Sequence, residues 1–75
     1  MSTYLIVAKI THTVTVRRDN RQVSSEYLSN KCIEANTKKE AFVLFDNFIS
    51  ESGKEESNEK YIVDLKAIVL NIIEL

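Results

Sequence analysis

The first part of the chain alternates between apolar and polar positions. From Tyr4 to Val16 the even positions are mostly apolar, whereas the odd positions pass from apolar residues to Lys9 and then to threonines. A period of two with many β-branched residues is typical of a β-strand. Asp19 and Asn20 tolerate the left-handed backbone of a tight turn, so the pattern predicts a hairpin that turns at these two residues.

A two-residue turn would also set the register of the hairpin. Val16 would then pair with Val23, and Tyr4 would pair with Ala35 at the other end of the ribbon. Both pairs place apolar side chains on one face, which we expect to turn towards a core.

A helical period follows the second strand. Thr37 and Glu40 have the spacing of a capping box, and Gly53 is placed where a left-handed residue commonly ends a helix. We therefore expect one helix over about residues 38–52. Its apolar stripe, spaced by three and four residues, consists of Ala41, Leu44, Phe45, Phe48 and Ile49.

The last segment, from Tyr61 to Leu75, alternates less regularly. Its odd positions carry no charge, while its even positions mix charged and apolar residues. We interpret the segment as a third strand whose odd positions face inward. A terminal helix from about Ala67 is the competing interpretation.

These elements predict a single α+β domain that spans residues 1–75. The order ββαβ gives a three-stranded antiparallel sheet with strand order 2-1-3 and the helix packed on one face. A chain of 75 residues is close to the lower limit for a self-sufficient core, which contributes about 3–5 kcal/mol at this size. One cysteine excludes an internal disulfide, so association with another chain is the reinforcement that remains.

Two surfaces of this fold are expected to lack cover. A helix of about 15 residues is ~22 Å long, so the hairpin beyond about Ile10 projects past it. One face of this ribbon would expose Val14, Val16, Val23 and Tyr27, and the other would expose Thr11, Thr13 and Thr15. The sheet face opposite the helix would be apolar, and a patch of this kind usually marks an interface. For this face we predict self-association through Leu5, Val7, Ile68, Leu70 and Ile72; a terminal helix folded over it is the alternative.

Charge is distributed unevenly along the chain. The net charge is −1, but residues 1–39 carry +4 and residues 40–75 carry −5. Arg17, Arg18 and Arg21 surround the hairpin turn and are either an anion-binding group or a solvated turn. The glutamates between the helix and the last strand are either solvated or a mimic of phosphates for a basic partner.

Candidate chemistry is sparse. His12 has no convergent partner for catalysis, and it cannot form an ordinary four-ligand zinc site with Cys32. We expect Cys32 to be a small packed thiol. With one glycine there is no glycine-rich phosphate loop. The sequence therefore predicts no enzyme activity, cofactor or metal. Without a signal peptide or a membrane-spanning run, it also predicts a cytoplasmic protein.

In layout the chain resembles small phage-encoded inhibitory proteins, among them anti-CRISPR proteins. The resemblance rests on the ribbon THTVTVRRDNRQVSS, the junction CIEANTKKEAF and the closing strand EKYIVDLKAIVL. It implies an antiparallel sheet with one helix, and a non-catalytic protein that blocks a nucleic-acid-handling complex of the host. No functional residues are carried over by this resemblance.

The function predicted from the sequence is stoichiometric binding and inhibition of a protein partner. Its contact residues would be those of the hairpin arm: Arg17, Arg18, Arg21, Thr13 and Thr15. The alternative is a nucleic-acid-binding module whose hairpin tip contacts phosphates, which would lose affinity as salt rises. A small enzyme would require a pocket with convergent polar groups.

Overall fold

The computed structural model describes all 75 residues and has the predicted α+β fold. Its elements are β1 (Ser2–Val16), β2 (Gln22–Ala35), α1 (Lys38–Glu56) and β3 (Tyr61–Glu74). The three strands form one antiparallel sheet in the order β2-β1-β3. The ββαβ order is therefore confirmed, and the C-terminal segment is a strand rather than a helix.

The turn between β1 and β2 contains four residues rather than two. The backbone N–H of Val16 donates to the carbonyl of Arg21 (2.8 Å), and the N–H of Asn20 donates back to the carbonyl of Val16 (2.8 Å). Asn20 is the one non-glycine residue with a positive φ, at 58°. Asparagine is among the residues that adopt this left-handed conformation most readily, so it closes the loop at its last position.

The longer turn makes the predicted register wrong by two residues. Val23 pairs with Val14 rather than with Val16, and Tyr4 pairs with Ile33 rather than with Ala35. Because side chains alternate with a period of two, this shift leaves the same residues on each face of the hairpin. The predicted apolar face is therefore correct although its pairs are not.

A β-bulge interrupts the pairing of β3 with β1. Val7 pairs with Asn71, whereas its neighbour Ala8 pairs with Val69. Leu70 is the extra residue in β3, and such an insertion reverses the faces of every position that follows it.

The bulge makes the predicted inward face of β3 wrong at its C-terminal end. Odd positions face the helix as far as Val69, but beyond the bulge Ile72 is the residue that packs against the core. Ile72 was expected on the open face of the sheet. Ile73 takes that place, opposite Leu5 of the central strand.

The core lies between β1 and one narrow face of α1. The buried helix positions recur every four residues, and Leu44 and Phe48 of the predicted stripe are exposed instead. The eight hydrophobic residues of the core are Tyr4, Ile6, Ala8, Ile10, Ala35, Ala41, Phe45 and Ile49.

The N-terminus of α1 is where it was predicted, but its C-terminus is not. Thr37 caps its first turn, since the Thr37 hydroxyl accepts from the N–H of Glu40 at 3.1 Å. The helix does not stop at Gly53 but continues to Glu56, with Ser57 as its C-cap. Gly53 is a buried position where α1 comes close to β3, because an added Cβ would stand 3.3 Å from the carbonyl oxygen of Val63.

The sheet extends well beyond the helix. The last turn of α1 lies beside His12, whose Nε2 is 3.1 Å from Oε2 of Glu56. Past this contact the strands continue as a distal arm, which consists of Thr13–Ser24 with Tyr61–Asp64 alongside. The arm was predicted as a two-stranded ribbon, but β3 pairs with β1 as far as Val16, so it has three strands. The molecule is accordingly elongated, 46 × 19 × 14 Å.

Candidate functional site

Arg17 connects the hairpin tip to the loop that precedes β3. Its backbone N–H donates to the carbonyl of Lys60 (3.0 Å), and its guanidinium Nε donates to the carbonyl of Asn58 (3.0 Å). The side chain of Asn58 in turn accepts from the N–H groups of Lys60 and Tyr61 (2.8 and 3.0 Å). Arg17 therefore has a structural role, which the sequence did not reveal.

The other two arginines differ in their contacts. Nε of Arg21 donates to Oδ2 of Asp19 at 2.7 Å, and the N–H of Arg21 donates to the other carboxylate oxygen. Arg18 is exposed and makes no hydrogen bond or ion pair. Of the three arginines predicted as contact residues, Arg18 is thus the one whose guanidinium is entirely available to a ligand.

The turn and the start of β3 enclose an open groove of about 860 Å³, called here the tip groove. It brings together four cationic and two anionic side chains. Since guanidinium groups bind carboxylates and phosphates, the tip groove suits an anionic group presented by a larger molecule. Its lining consists of Val16, Arg17, Arg18, Asp19, Arg21, Glu59, Lys60 and Tyr61.

Thr13 and Thr15 do not belong to the tip groove. Both lie on the sheet face opposite α1, where their hydroxyls bond across to β2: Thr13 to Ser24 at 3.1 Å and Thr15 to Gln22 at 3.3 Å. The predicted set of five contact residues is therefore divided between two surfaces.

The sheet face opposite α1, called here the outer face, is uncovered and mixes large apolar residues with charged ones. Leu28 is 72% exposed, Ile68 61% and Leu70 57%. Leu28 and Ile68 both flank Lys9 of the central strand. The Lys9 ammonium forms a salt bridge of 2.9 Å with Glu26 on the same face.

Four of the five residues predicted for self-association belong to this surface or its bulge. Leu5 and Val7 are half-buried in the central strand, and Ile68 and Leu70 are exposed on β3. The prediction is wrong for Ile72, which the bulge turns towards the helix.

A third uncovered surface, larger than the one predicted, lies on the helix side of β2. α1 packs mainly against β3 and much less against β2, so the helix-side residues of β2 stay exposed. Lys31 lies over the ring of Phe48, 4.2 Å from its centroid, and Tyr27 is exposed nearby on the same strand. The exposure of Tyr27 was expected, but that of Lys31 and Phe48 was not, because periodicity predicts the face of an element but not its lateral position on a sheet.

The remaining candidate residues do not converge on a reactive centre. The expectation of a packed thiol at Cys32 is wrong, because this residue is exposed on the outer face, opposite Leu5. No group of three or more His, Cys, Asp or Glu side chains is arranged to hold a metal ion. α1 lacks the run of apolar residues that crossing a membrane would require.

Comparison of the chain with protein-family models, with curated proteins and with solved structures gives no match. A function is therefore inferred from the surfaces described above.

Proposed function

We propose that this chain is a non-catalytic binding protein that associates with a macromolecular partner. The observation that carries the proposal is the uncovered outer face, with Leu28, Ile68 and Leu70 each more than half exposed. Exposed apolar patches of this kind commonly mark interaction sites, because their burial is favourable by about 25 cal/mol per Å².

The tip groove would supply the polar part of the same interaction. The side chains of Arg18 and Lys60 take part in no hydrogen bond or salt bridge within the chain, so they can bind acidic groups of the partner without breaking an existing bond. Rim charges of this kind mainly set the association rate and the choice of partner. The partner we propose is a protein that offers an apolar surface and at least one carboxylate or phosphate.

The specific form of this proposal is inhibition by occupation of a site. It follows the resemblance to small phage-encoded inhibitors, which implies a nucleic-acid-handling complex as the target. The acidic half of the chain supports it, since Glu51, Glu55 and Glu59 are exposed near the end of α1. Such carboxylates can take the place of phosphates on a basic surface.

A second candidate function is phosphate contact with nucleic acid through the tip groove. Four cationic side chains at one end of the molecule favour it. The footprint is small, however, because Arg17 and Arg21 already have partners and two carboxylates share the groove. A binding protein for nucleic acid normally presents a larger basic field.

A capture experiment with matched variants tests the proposed function. The wild-type chain is immobilised and exposed to host lysate beside Ile68→Asp, which charges the outer face, and Val43→Asp, which charges an exposed position of α1. We expect a stoichiometric protein to be retained by wild type and Val43→Asp and lost by Ile68→Asp. Equal retention by all three variants would refute the outer face as the site.

A gel shift with defined duplex DNA and single-stranded RNA tests the second candidate function, nucleic-acid binding through the tip groove. Binding that falls linearly with the logarithm of salt concentration and is lost in Arg18→Ala would support phosphate contact instead.

A further inference from the structure

We propose that β2 pairs with β2 of a second copy of this chain, giving a two-fold dimer with one continuous six-stranded sheet. This inference is independent of the proposed partner and does not use the tip groove. The outer faces of the two copies would stay open side by side, with Leu28 the one large apolar residue of that face at the dimer contact. It rests on the open edge of β2, the position of α1 and the total exposed area.

The first observation is the character of the β2 edge. β2 has 14 residues, contains no proline and pairs with β1 in an unbroken register. Eleven of its 14 residues are exposed. Edge strands are normally protected by a short length, a proline, a bulge, a cover or charged side chains, and long open edges pair with other strands. Of the three charged residues of β2, Glu26 is paired with Lys9 and Lys31 lies over the ring of Phe48.

The opposite edge of the sheet has the protection that β2 lacks. β3 contains the bulge at Leu70 and carries α1 along its helix-side face. A bulge twists the strand and interrupts the row of free backbone groups. Addition of a strand is therefore favoured at β2.

The backbone phase defines which groups of β2 are free. The N–H of Val16 donates to the carbonyl of Arg21, so Val16 and Arg21 form a hydrogen-bonded pair of the β1–β2 ladder. Such pairs recur at every second residue of an antiparallel ladder. The odd residues of β2 consequently bond to β1, and its even residues direct their N–H and C=O groups outwards.

A two-fold dimer in one sheet has to match these free groups and keep both helices on the same face. Pairing of Leu28 with Leu28 of the second copy satisfies both conditions. Ala35 is fully buried at one end of the strand, so a register that uses it is disfavoured. In the Leu28-centred register Glu26 faces Asn30 of the second copy and Lys31 faces Ser25, so no like charges are opposed.

The position of α1 leaves room for the second copy. Because α1 lies towards β3, the aromatic rings of Tyr27 and Phe48 are exposed beside the β2 edge. In the dimer the corresponding residues of the second copy would approach from the other side of the edge. Pairing would thus cover apolar surface as well as satisfy backbone groups.

The exposed area of the chain agrees with this association. The chain exposes 5424 Å², whereas a monomeric folded protein of 8.6 kDa exposes about 4700 Å². The excess of about 700 Å² is close to the ~800 Å² that each partner buries in a standard interface. One surface of the size of a dimer contact is therefore uncovered in the single chain.

The mass in solution tests the dimer, with variants that separate the edge from the outer face. Tyr27→Lys adds a charge beside the β2 edge, on the helix side, whereas Ile68→Lys adds the same charge on the outer face of β3. We expect wild type and Ile68→Lys to have twice the 8.6 kDa mass by light scattering. Tyr27→Lys should raise the dimer Kd about tenfold or more.

A second pair of variants tests the backbone contact itself. Asn30→Pro removes an outward N–H and should give a monomer, while Asn30→Ala keeps that N–H and should remain a dimer. Circular dichroism of each variant checks that the fold is intact. A wild type that is monomeric at all concentrations, or a dimer dissociated by Ile68→Lys but not by Tyr27→Lys, would overturn the proposal.

Disulfide formation provides a measurement that does not depend on loss of binding. In a Cys32→Ser background, Ser25→Cys and Lys31→Cys are combined in one chain. The two positions are ~20 Å apart along the strand, too far for a bridge within one chain. Between copies they form a non-hydrogen-bonded pair with suitable geometry, so oxidation should give a covalent dimer. Absence of this product in a sample that is dimeric would rule out the Leu28-centred register.

Discussion

Gly53 of α1 packs directly against the backbone of β3 at Leu65. A Cβ atom on Gly53 would stand 3.4 Å from the backbone nitrogen of Leu65 and 3.3 Å from the carbonyl oxygen of Val63. Ser57, at the end of the same helix, accepts from the N–H of Val63 at 2.9 Å. Together these contacts hold the C-terminal part of α1 over β3, and this position is the reason that β2 is left uncovered.

This close approach predicts a strong response to side-chain size at Gly53. Gly53→Val should lower the free energy of unfolding by about 1–3 kcal/mol, because backbone atoms of a paired strand yield little to an inserted group. Glu55→Val, an exposed position on the same helix, is the control for β-branching and should cost well under 1 kcal/mol. Urea unfolding of both variants measures the difference, and equal losses would contradict the packing at Gly53.

The two phenylalanines Phe42 and Phe45 should differ sharply in their contribution. Phe45 is 1% exposed in the core, so Phe45→Ala should cost about 3–5 kcal/mol. Phe42 is 44% exposed on the same helix, and its truncation should cost far less. Thermal unfolding followed by circular dichroism compares them directly. A larger loss for Phe42→Ala would mean that the helix faces are assigned wrongly.

Arg17 and Arg18 at the hairpin tip should differ in their contribution to the free energy of unfolding. Arg17→Ala removes the bond to the Asn58 carbonyl and should lower the free energy of unfolding by about 0.5–1.5 kcal/mol. Arg18→Ala should leave stability unchanged, since the side chain has no partner in the chain. Chemical denaturation of the two variants, beside the wild type, measures the contrast. Equal stability of both variants would show that the Arg17 bond contributes nothing measurable.

The bulge predicts that one deletion in β3 is tolerated. Without Leu70 the ladder would become regular, since Val69 would stay opposite Ala8 and Asn71 opposite Val7, and every side chain would keep its face. The free energy of unfolding should therefore fall by less than about 1 kcal/mol. Deletion of Asp64, in the regular part of the strand, would instead turn Leu65 away from the core and Lys66 towards the helix, and should cost about 3 kcal/mol or more. Urea unfolding of both deletions is the measurement, and equal losses would contradict Leu70 as the inserted residue.

Much of the fold could be predicted because local pattern and element order restrict it strongly. The alternation from Tyr4 to Val16 and the helix cap at Thr37 both specify their elements correctly. The sheet order followed from the ββαβ sequence of elements. What the pattern could not supply was the register, since Asp19-Asn20 suits a two-residue turn as well as the last half of a four-residue turn.

The bulge and the position of the helix were beyond sequence reasoning for another reason. Leu70 is apolar like its neighbours, and no glycine or proline marks it as an inserted residue. The lean of α1 depends on the absence of a side chain at Gly53, which the sequence alone presented as a helix terminator. Both features are decided by tertiary packing.

The candidate site was predicted in part, and for a similar reason. The sequence located the arginines at one turn but could not show that Arg17 is bonded to the loop before β3. That loop was expected to be solvated, and its return to the hairpin tip became evident only from the pairing of Tyr61 with Val16.

The distal arm has a consequence for how the molecule opens. Beyond His12 the three strands form a single layer without a helix over them, so no packed interior resists their separation. Cooperative units with few buried contacts exchange their amide protons through local opening rather than through global unfolding. Hydrogen exchange should therefore divide this small domain in two, with a slow half beneath α1 and a fast half at the arm. An incoming partner at the tip would then slow exchange most in the part of the chain that is least protected without it.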